Sequence, residues 1–250
     1  MSENILKVEN LSKEYTDQVG YIIHLLENIS FSINEKEFVS ILAPQGSGKT
    51  SLLKIIAGLE KPSTGKIFSE NKKIFFIPSK PSSFPWLNVF DNISFNSKMN
   101  EKEISEIIKL VGLTGYEDHF PHKKSEGFRF RISLGRALAN NPDLLIIDEP
   151  FNNLNDKTRE EIYLLLRNIF NLKKISIVFG TTNITEAIFL SDKIYLMKKN
   201  PGEIIEKLKV DLLEKRELSL LESDQFQSSR NQIEDIFKNK LESKLYHFSV

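Results

Sequence analysis

An α/β fold built on a parallel sheet is predicted by three observations. Apolar runs at 74–77, 144–147 and 177–179 are rich in β-branched or aromatic residues and too short for helices, so they read as strands buried on both faces. Segments of helical periodicity lie between them, as the crossovers of a parallel sheet require. A glycine-containing loop joins one further apolar strand to a helix, the junction at which such folds gather anions.

In chain order, residues 29–33 (ISFSI) alternate apolar with small or polar side chains, and 37–42 is an apolar run that enters the loop. After Thr50, residues Leu52, Leu53, Ile55, Ile56 and Leu59 recur at helical spacing, with Gly58 and Pro62 to end the element. A helix is expected at 100–111, and a strong amphipathic one at 156–170, where a polar, cap-forming start precedes EIYLLLRNIF. From Glu206 through Asn239 the chain turns charged, and periodicity alone reads its weakly amphipathic tail as a helix on the surface. No period recurs that would indicate repeats.

Composition bounds the function. The 250 residues carry 34 Lys+Arg against 34 Asp+Glu, so no net charge draws the chain to nucleic acid. With 40% hydrophobic and 27% charged residues it can bury a sizeable core. The absence of cysteine excludes disulfides and thiolate chemistry. The start MSENILKVEN is charged where a signal peptide needs apolar residues, and no window reaches the roughly 20 apolar residues that span a bilayer. The expectation is a soluble, cytosolic protein that meets membranes only through a partner.

Ala43, Pro44, Gln45, Gly46, Ser47, Gly48, Lys49 and Thr50 stand between strand and helix in the register of a phosphate-binding loop, with Ser51 following. Gly46 and Gly48 let the backbone curl so that successive N–H groups face phosphate oxygens, aided by the helix dipole. Lys49 is expected at the β- and γ-phosphates and the Thr50 hydroxyl on Mg²⁺. Ala43 replaces the usual glycine at the cost of one methyl group. At the end of the 144–147 run, Asp148 suits the second shell of Mg²⁺, and Glu149 suits the base that polarises a water attacking the γ-phosphate. An acidic pair after a strand is by itself often a loop start or helix cap; the phosphate loop favours the catalytic reading.

With these residues in place the chain resembles an ATP-binding cassette (ABC) ATPase, the engine subunit of membrane transporters. The likeness runs nearly end to end. Leu11-Ser12-Lys13-Glu14-Tyr15 is similar to the segment whose aromatic residue stacks on adenine, and Gly58-Leu59 with Pro62 and Gly65 matches the stretch after the first helix. Pro85-Trp86-Leu87-Asn88-Val89-Phe90-Asp91-Asn92, Pro201-Gly202-Glu203-Ile204-Ile205 and Asp211-Leu212 resemble nitrate, sulfonate and taurine importers. The resemblance implies a P-loop NTPase of ABC ATPase type: a parallel-sheet core, an N-terminal antiparallel β subdomain and an inserted helical subdomain. It implies a single domain over 1–250, with the helical part at about 85–139 and a C-terminal extension at about 200–250. It further implies ATP and Mg²⁺ as cofactors, a transmembrane permease docked on the helical region, and a second cassette, identical or not. Each nucleotide would lie between one phosphate loop and the partner's signature segment. A substrate-binding protein in the same system, no nucleic acid, and a place on the inner face of the cell membrane complete the expectation.

The departures are selective. Where the family reads Leu-Ser-Gly-Gly-Gln, this chain has Lys124-Ser125-Glu126-Gly127-Phe128, keeping only Ser125 and Gly127 to approach the partner's nucleotide. Glu126 sets a negative charge beside a polyanion, roughly 4 kcal/mol per pair of unit charges at 4 Å before relaxation, unless it swings into solvent or pairs with Arg129. The switch histidine is replaced by Thr182, since the histidines are His24, His119, His122 and His247. No glutamine lies between Gln45 and Gln225, so Ser79 stands where one links the Mg²⁺ site to the permease. Asn152-Asn153-Leu154-Asn155 replaces a loop ending in aspartate. The basic residues Lys123, Lys124, Arg129, Arg131 and Arg136 read as a solvated helix face. The expected function is an ATP-binding subunit of an importer with weak hydrolysis. The alternatives are a nucleotide-binding regulatory or structural subunit that does not cycle, and a soluble cassette of translation or DNA repair.

Overall fold

The computed structural model describes residues 4–69, 71–80, 82–151, 154–213 and 215–242. Residues 29–33, read as a short alternating segment, belong to a long strand: β1 (Asn4–Thr16) and β2 (Ile22–Asn34) pair antiparallel. Asp17 ties their turn, its Oδ1 accepting from the N–H groups of Val19 (2.9 Å) and Tyr21 (2.8 Å). Register shifts along β1 break its alternation, which is why a period of two does not show in its sequence. β3 (Phe38–Leu42) leaves for a second sheet, and β4 (Thr64–Phe68) returns to the free side of β1.

The second sheet has the order β5-β6-β7-β3-β8-β9, with β5 (Ile74–Ile77), β6 (Leu144–Asp148), β7 (Ser176–Thr181), β8 (Lys193–Lys198) and β9 (Glu203–Lys209). Its first five strands are parallel and β9 is antiparallel. β3, β6 and β7 are buried throughout, as unbroken apolar runs require. The register Leu42↔Thr181 and Asp148↔Gly180 brings their C-terminal ends level on one edge.

α1 (Lys49–Ile56) follows the loop and stops at Ala57, and Gly58 turns the chain at φ 73°. Leu59, expected within the helix, therefore lies beyond it and is exposed. α2 (Val89–Ser94), α3 (Glu101–Leu110) and α4 (Glu126–Ala139) pack Ile93, Ile104, Ile108 and Phe130 into one core. α3 starts where predicted because Asn100 and Glu103 form a capping box. α5 (Asp156–Lys173) also starts as predicted, capped by Asn155, but continues to Lys173. α6 (Ile184–Leu190) and α7 (Asp224–Glu242) complete the chain. α7 lies on the surface, as its periodicity predicts, with most of its described residues exposed, and it seats Phe226 and Ile233 in the same core.

Candidate nucleotide site

β3 delivers the backbone to the loop at Ala43, which is buried and donates its N–H to the Thr181 carbonyl (3.1 Å). Gly48 has φ 84°, and a Cβ there would stand 2.7 Å from Leu26 Cδ2, so both conformation and space demand glycine. α1 begins at Lys49 with no side-chain cap and no acidic residue in its first turn, whereas α2 to α6 each carry an Asn or Ser cap. The first-turn N–H groups of α1 are thus left for an anion. Leu25, Pro44, Gln45, Gly46, Ser47, Gly48, Lys49, Thr50, Ser51 and Glu149 line the depression over this loop.

Two consecutive residues of α1 meet two consecutive carboxylates of the strand end. The buried Lys49 ammonium pairs with Glu149, and Thr50 Oγ1 donates to Asp148 Oδ2 (2.9 Å). Glu149 sits at φ 37° and donates its N–H to the Gly180 carbonyl (2.9 Å), a left-handed turn that aims it from the strand end at the loop. Burial pushes the Asp148 carboxyl up, against the opposing pull of Thr50 and Lys49. Its Oδ1 and the Ser47 hydroxyl are buried with no hydrogen-bond partner among the described residues. A hydroxyl and a half-satisfied carboxylate beside an ammonium and uncapped amides fit a phosphate with a hard cation such as Mg²⁺.

Two glycines whose packing roles sequence reading did not find make room here. A Cβ on Gly180 would lie 2.5 Å from Leu53 Cδ1 and 3.3 Å from both Asp148 Oδ1 and Lys49 Cδ. One on Gly202 would lie 2.2 Å from the Ser47 carbonyl, so the turn before β9 buttresses the loop from behind. The available signal was a glycine inside an otherwise β-branched run for Gly180; Gly202 entered only through the importer-like segment 201–205, which says nothing of its packing.

The neighbouring segments hold the substituted residues. Thr182 is exposed just past β7, while Thr181 is buried with its hydroxyl on Glu186. Glu186, also unpredicted, accepts from Tyr163 (3.2 Å) and lies 3.9 Å from Arg159 Nε, and burial raises its pKa. Ser79 is exposed beyond β5. Tyr15, half-exposed at the end of β1, reaches Ser51 Oγ (3.5 Å) and donates to Glu60.

Ser125 and Gly127 are not among the residues lining the loop. Ser125 caps α4, accepting from the Phe128 N–H (3.3 Å), and Glu126 lies 3.9 Å from Arg129, which is the pairing alternative expected for it. Gly127 is buried against Thr158. Asn155 caps α5 through the Thr158 N–H (2.9 Å), while Asn152 and Asn153 lie outside the described residues. The basic cluster is not wholly a solvated face. Arg131 donates to the Val111 carbonyl (2.9 Å), and Arg136 donates to the Ser82 carbonyl and lies 4.6 Å from the Phe84 ring centroid; burial lowers the pKa of both.

The ABC transporter family model matches residues 26–152. An uncharacterized ABC transporter ATP-binding protein of Methanocaldococcus jannaschii is 35% identical over 250 residues, 94% of this chain and 92% of that protein. The aliphatic sulfonates import ATP-binding protein SsuB of Bacillus thuringiensis is 36% identical over 210 residues, 80% of this chain and 83% of that one. A solved dimeric ATP-binding cassette in a post-hydrolysis state, bound to ADP and Pi, superposes with a TM-score of 0.73 at 29% identity, covering 83% of this chain and 100% of that one. The chain therefore belongs to the ABC transporter family as an ATP-binding domain.

Proposed function

We propose that this chain is the ATP-binding subunit of an ABC importer, holding Mg·ATP firmly and hydrolysing it slowly. The observation that carries the reading is the double pairing of Lys49 with Glu149 and Thr50 with Asp148 at one sheet edge. Lys49 exchanges its carboxylate partner for the β- and γ-phosphate oxygens, and the amides of 45–51 donate to the same anion. Thr50 and Asp148 would hold Mg²⁺, which would offset the charge of the phosphates. Glu149, released by Lys49, takes the proton of the attacking water. Tyr15 stacks on adenine.

Two cassettes complete each other, Ser125 and Gly127 of one closing on the nucleotide of the other. Solved dimers of the fold support this arrangement. Weak turnover is inferred from the closing groups: Glu126 adds negative charge, Thr182 offers a hydroxyl in place of an imidazole, and Ser79 and Asn155 replace the expected glutamine and aspartate. The importer assignment rests on relatives named for sulfonate and taurine import. With it come a permease on the helical region at about 85–139, where Trp86 is 70% exposed, a substrate-binding protein, and a place on the inner face of the cell membrane. No helix among the described residues is long and apolar enough to cross a membrane. We read 1–250 as one ABC ATPase domain with its C-terminal extension at about 200–250.

The test measures Mg·ATP affinity and phosphate release on the purified chain, with and without its permease. Tight binding with slow release that depends on Glu149 is expected. A chain that binds no nucleotide, or that turns over at the rates of an intact cassette, ends the reading.

A further inference from the structure

The ring proposed to meet adenine is itself held by a pair of opposite charges. Lys13 and Tyr15, two apart on β1, share a face, and both reach the connection between α1 and β4. Lys13 Nζ lies 3.1 Å from Glu60 Oε1, donates to the Lys61 carbonyl (2.8 Å) and stands 4.8 Å from the Tyr15 ring centroid. The Tyr15 hydroxyl donates to the same Glu60 oxygen. The Lys13 and Glu60 side chains are only 14% and 23% exposed, so this is more than a loose surface pair. The Ser63 N–H donates to the Ser12 carbonyl (2.9 Å) and the Ser63 hydroxyl accepts from the Glu14 N–H (2.9 Å), fixing the two backbones to each other.

These contacts anchor the ring edge to the segment that follows α1, and its hydroxyl also lies 3.5 Å from Ser51 Oγ, next to Thr50. Burial pushes the Glu60 carboxyl up, yet the hydrogen bonds from Tyr15 and Lys13 hold it below the usual glutamate range, so it stays charged at neutral pH. A ring fixed before a ligand arrives loses less freedom on stacking, and a cation over one face leaves a planar ligand the other.

We propose that Lys13 and Glu60 are positioning residues that lock the Tyr15 ring at a set distance from the phosphate loop, so that a nucleobase stacks on the face Lys13 leaves open. The inference rests on the nucleotide-binding reading above, and its test separates the two.

The full-length chain is titrated with Mg·ATP and, separately, with Mg·tripolyphosphate, which has the phosphates without the base. Glu60→Ala is expected to lower ATP affinity about fivefold and leave tripolyphosphate affinity unchanged. Lys13→Met, which keeps the apolar stem, shifts ATP affinity the same way by less. Tyr15→Ala marks the ceiling of the effect. Equal losses for both ligands, or no loss for ATP in either clamp variant, overturn the proposal. A wild-type chain that does not bind tripolyphosphate overturns the phosphate-loop reading itself, and this inference with it.

Discussion

The phosphate loop and the signature segment both present a helix N-terminus, and they differ in what already occupies it. At α1 no side chain caps the first turn, no acid stands in it, and the nearest cation, Lys49, is buried with a carboxylate as its partner. At α4, Ser125 Oγ has taken the Phe128 N–H, and Glu126 supplies a negative charge in the first turn, partly offset by Arg129 at 3.9 Å. An arriving phosphate finds donors at α1 and a carboxylate at α4. Helix dipoles favour anions at both ends, so side chains make the difference. One end leaves its amides and an ammonium open to an anion, and the other uses its serine to hold its own helix.

The largest test of this contrast is Glu149→Gln. A positioned general base contributes about 10²- to 10⁴-fold, so phosphate release is expected to fall by that order while Mg·ATP affinity holds or rises, Lys49 having lost its competing carboxylate. Turnover that survives the change would move the chemistry away from the acidic strand end. Next comes Lys49→Ala. Hydrogen bonds to charged groups contribute about 1.5–3 kcal/mol, or about 10- to 100-fold in ATP affinity, and equilibrium titration reads the loss directly.

A smaller effect is expected at the other end. Glu126→Gln keeps the shape and removes the charge, so phosphate release from the closed dimer should rise about three- to tenfold. Affinity of the isolated chain for Mg·ATP should stay as it was, because Glu126 does not line the loop. If release does not change, Arg129 already neutralises the carboxylate and the slow step lies at Thr182.

Both regions were visible in the sequence, but for different reasons. The loop and the acidic pair were legible because they stand at the ends of strands buried on both faces, where an unbroken apolar run fixes the strand and so the edge at which the chain emerges. The starts of α3 and α5 were legible because Asn100 and Asn155 act within one turn. β1 was not: its pairing depends on β2 and β4, and bulges scramble the alternation. Gly202 was not, since its need for space arises from Ser47, far away in the chain. Arg131 and Arg136 read as solvated because charge on a helix usually is; only the packing of α4 against Val111 and Ser82 turns them inward. In the same way, no spacing rule brings Glu186 to Tyr163 and Arg159, which lie on another helix.

Glu186 gives the smallest effect and decides on which side of the comparison the switch segment falls. The residue is 5% exposed, and its carboxyl takes hydrogen bonds from Tyr163 and Thr181, the residue just before Thr182. Burial raises its pKa despite those bonds and Arg159, and Glu149 adds to the rise. In the unfolded chain the same carboxyl titrates in the ordinary glutamate range. The folded state therefore holds the proton to higher pH, and the stability this gives is complete below the ordinary range and is lost as pH rises through the folded value. Glu186→Gln has no proton to lose. Measured by urea denaturation across a pH series, the variant should gain on the wild type as pH climbs from the acid side toward neutrality, whatever the absolute cost of the substitution. That slope would mark the anchor of the switch segment as core, like the phosphate loop, so that slow closure would trace to the exposed Thr182 side chain and not to a loosely held backbone. A difference flat in pH would mean that water reaches Glu186 and that the segment is not seated as core.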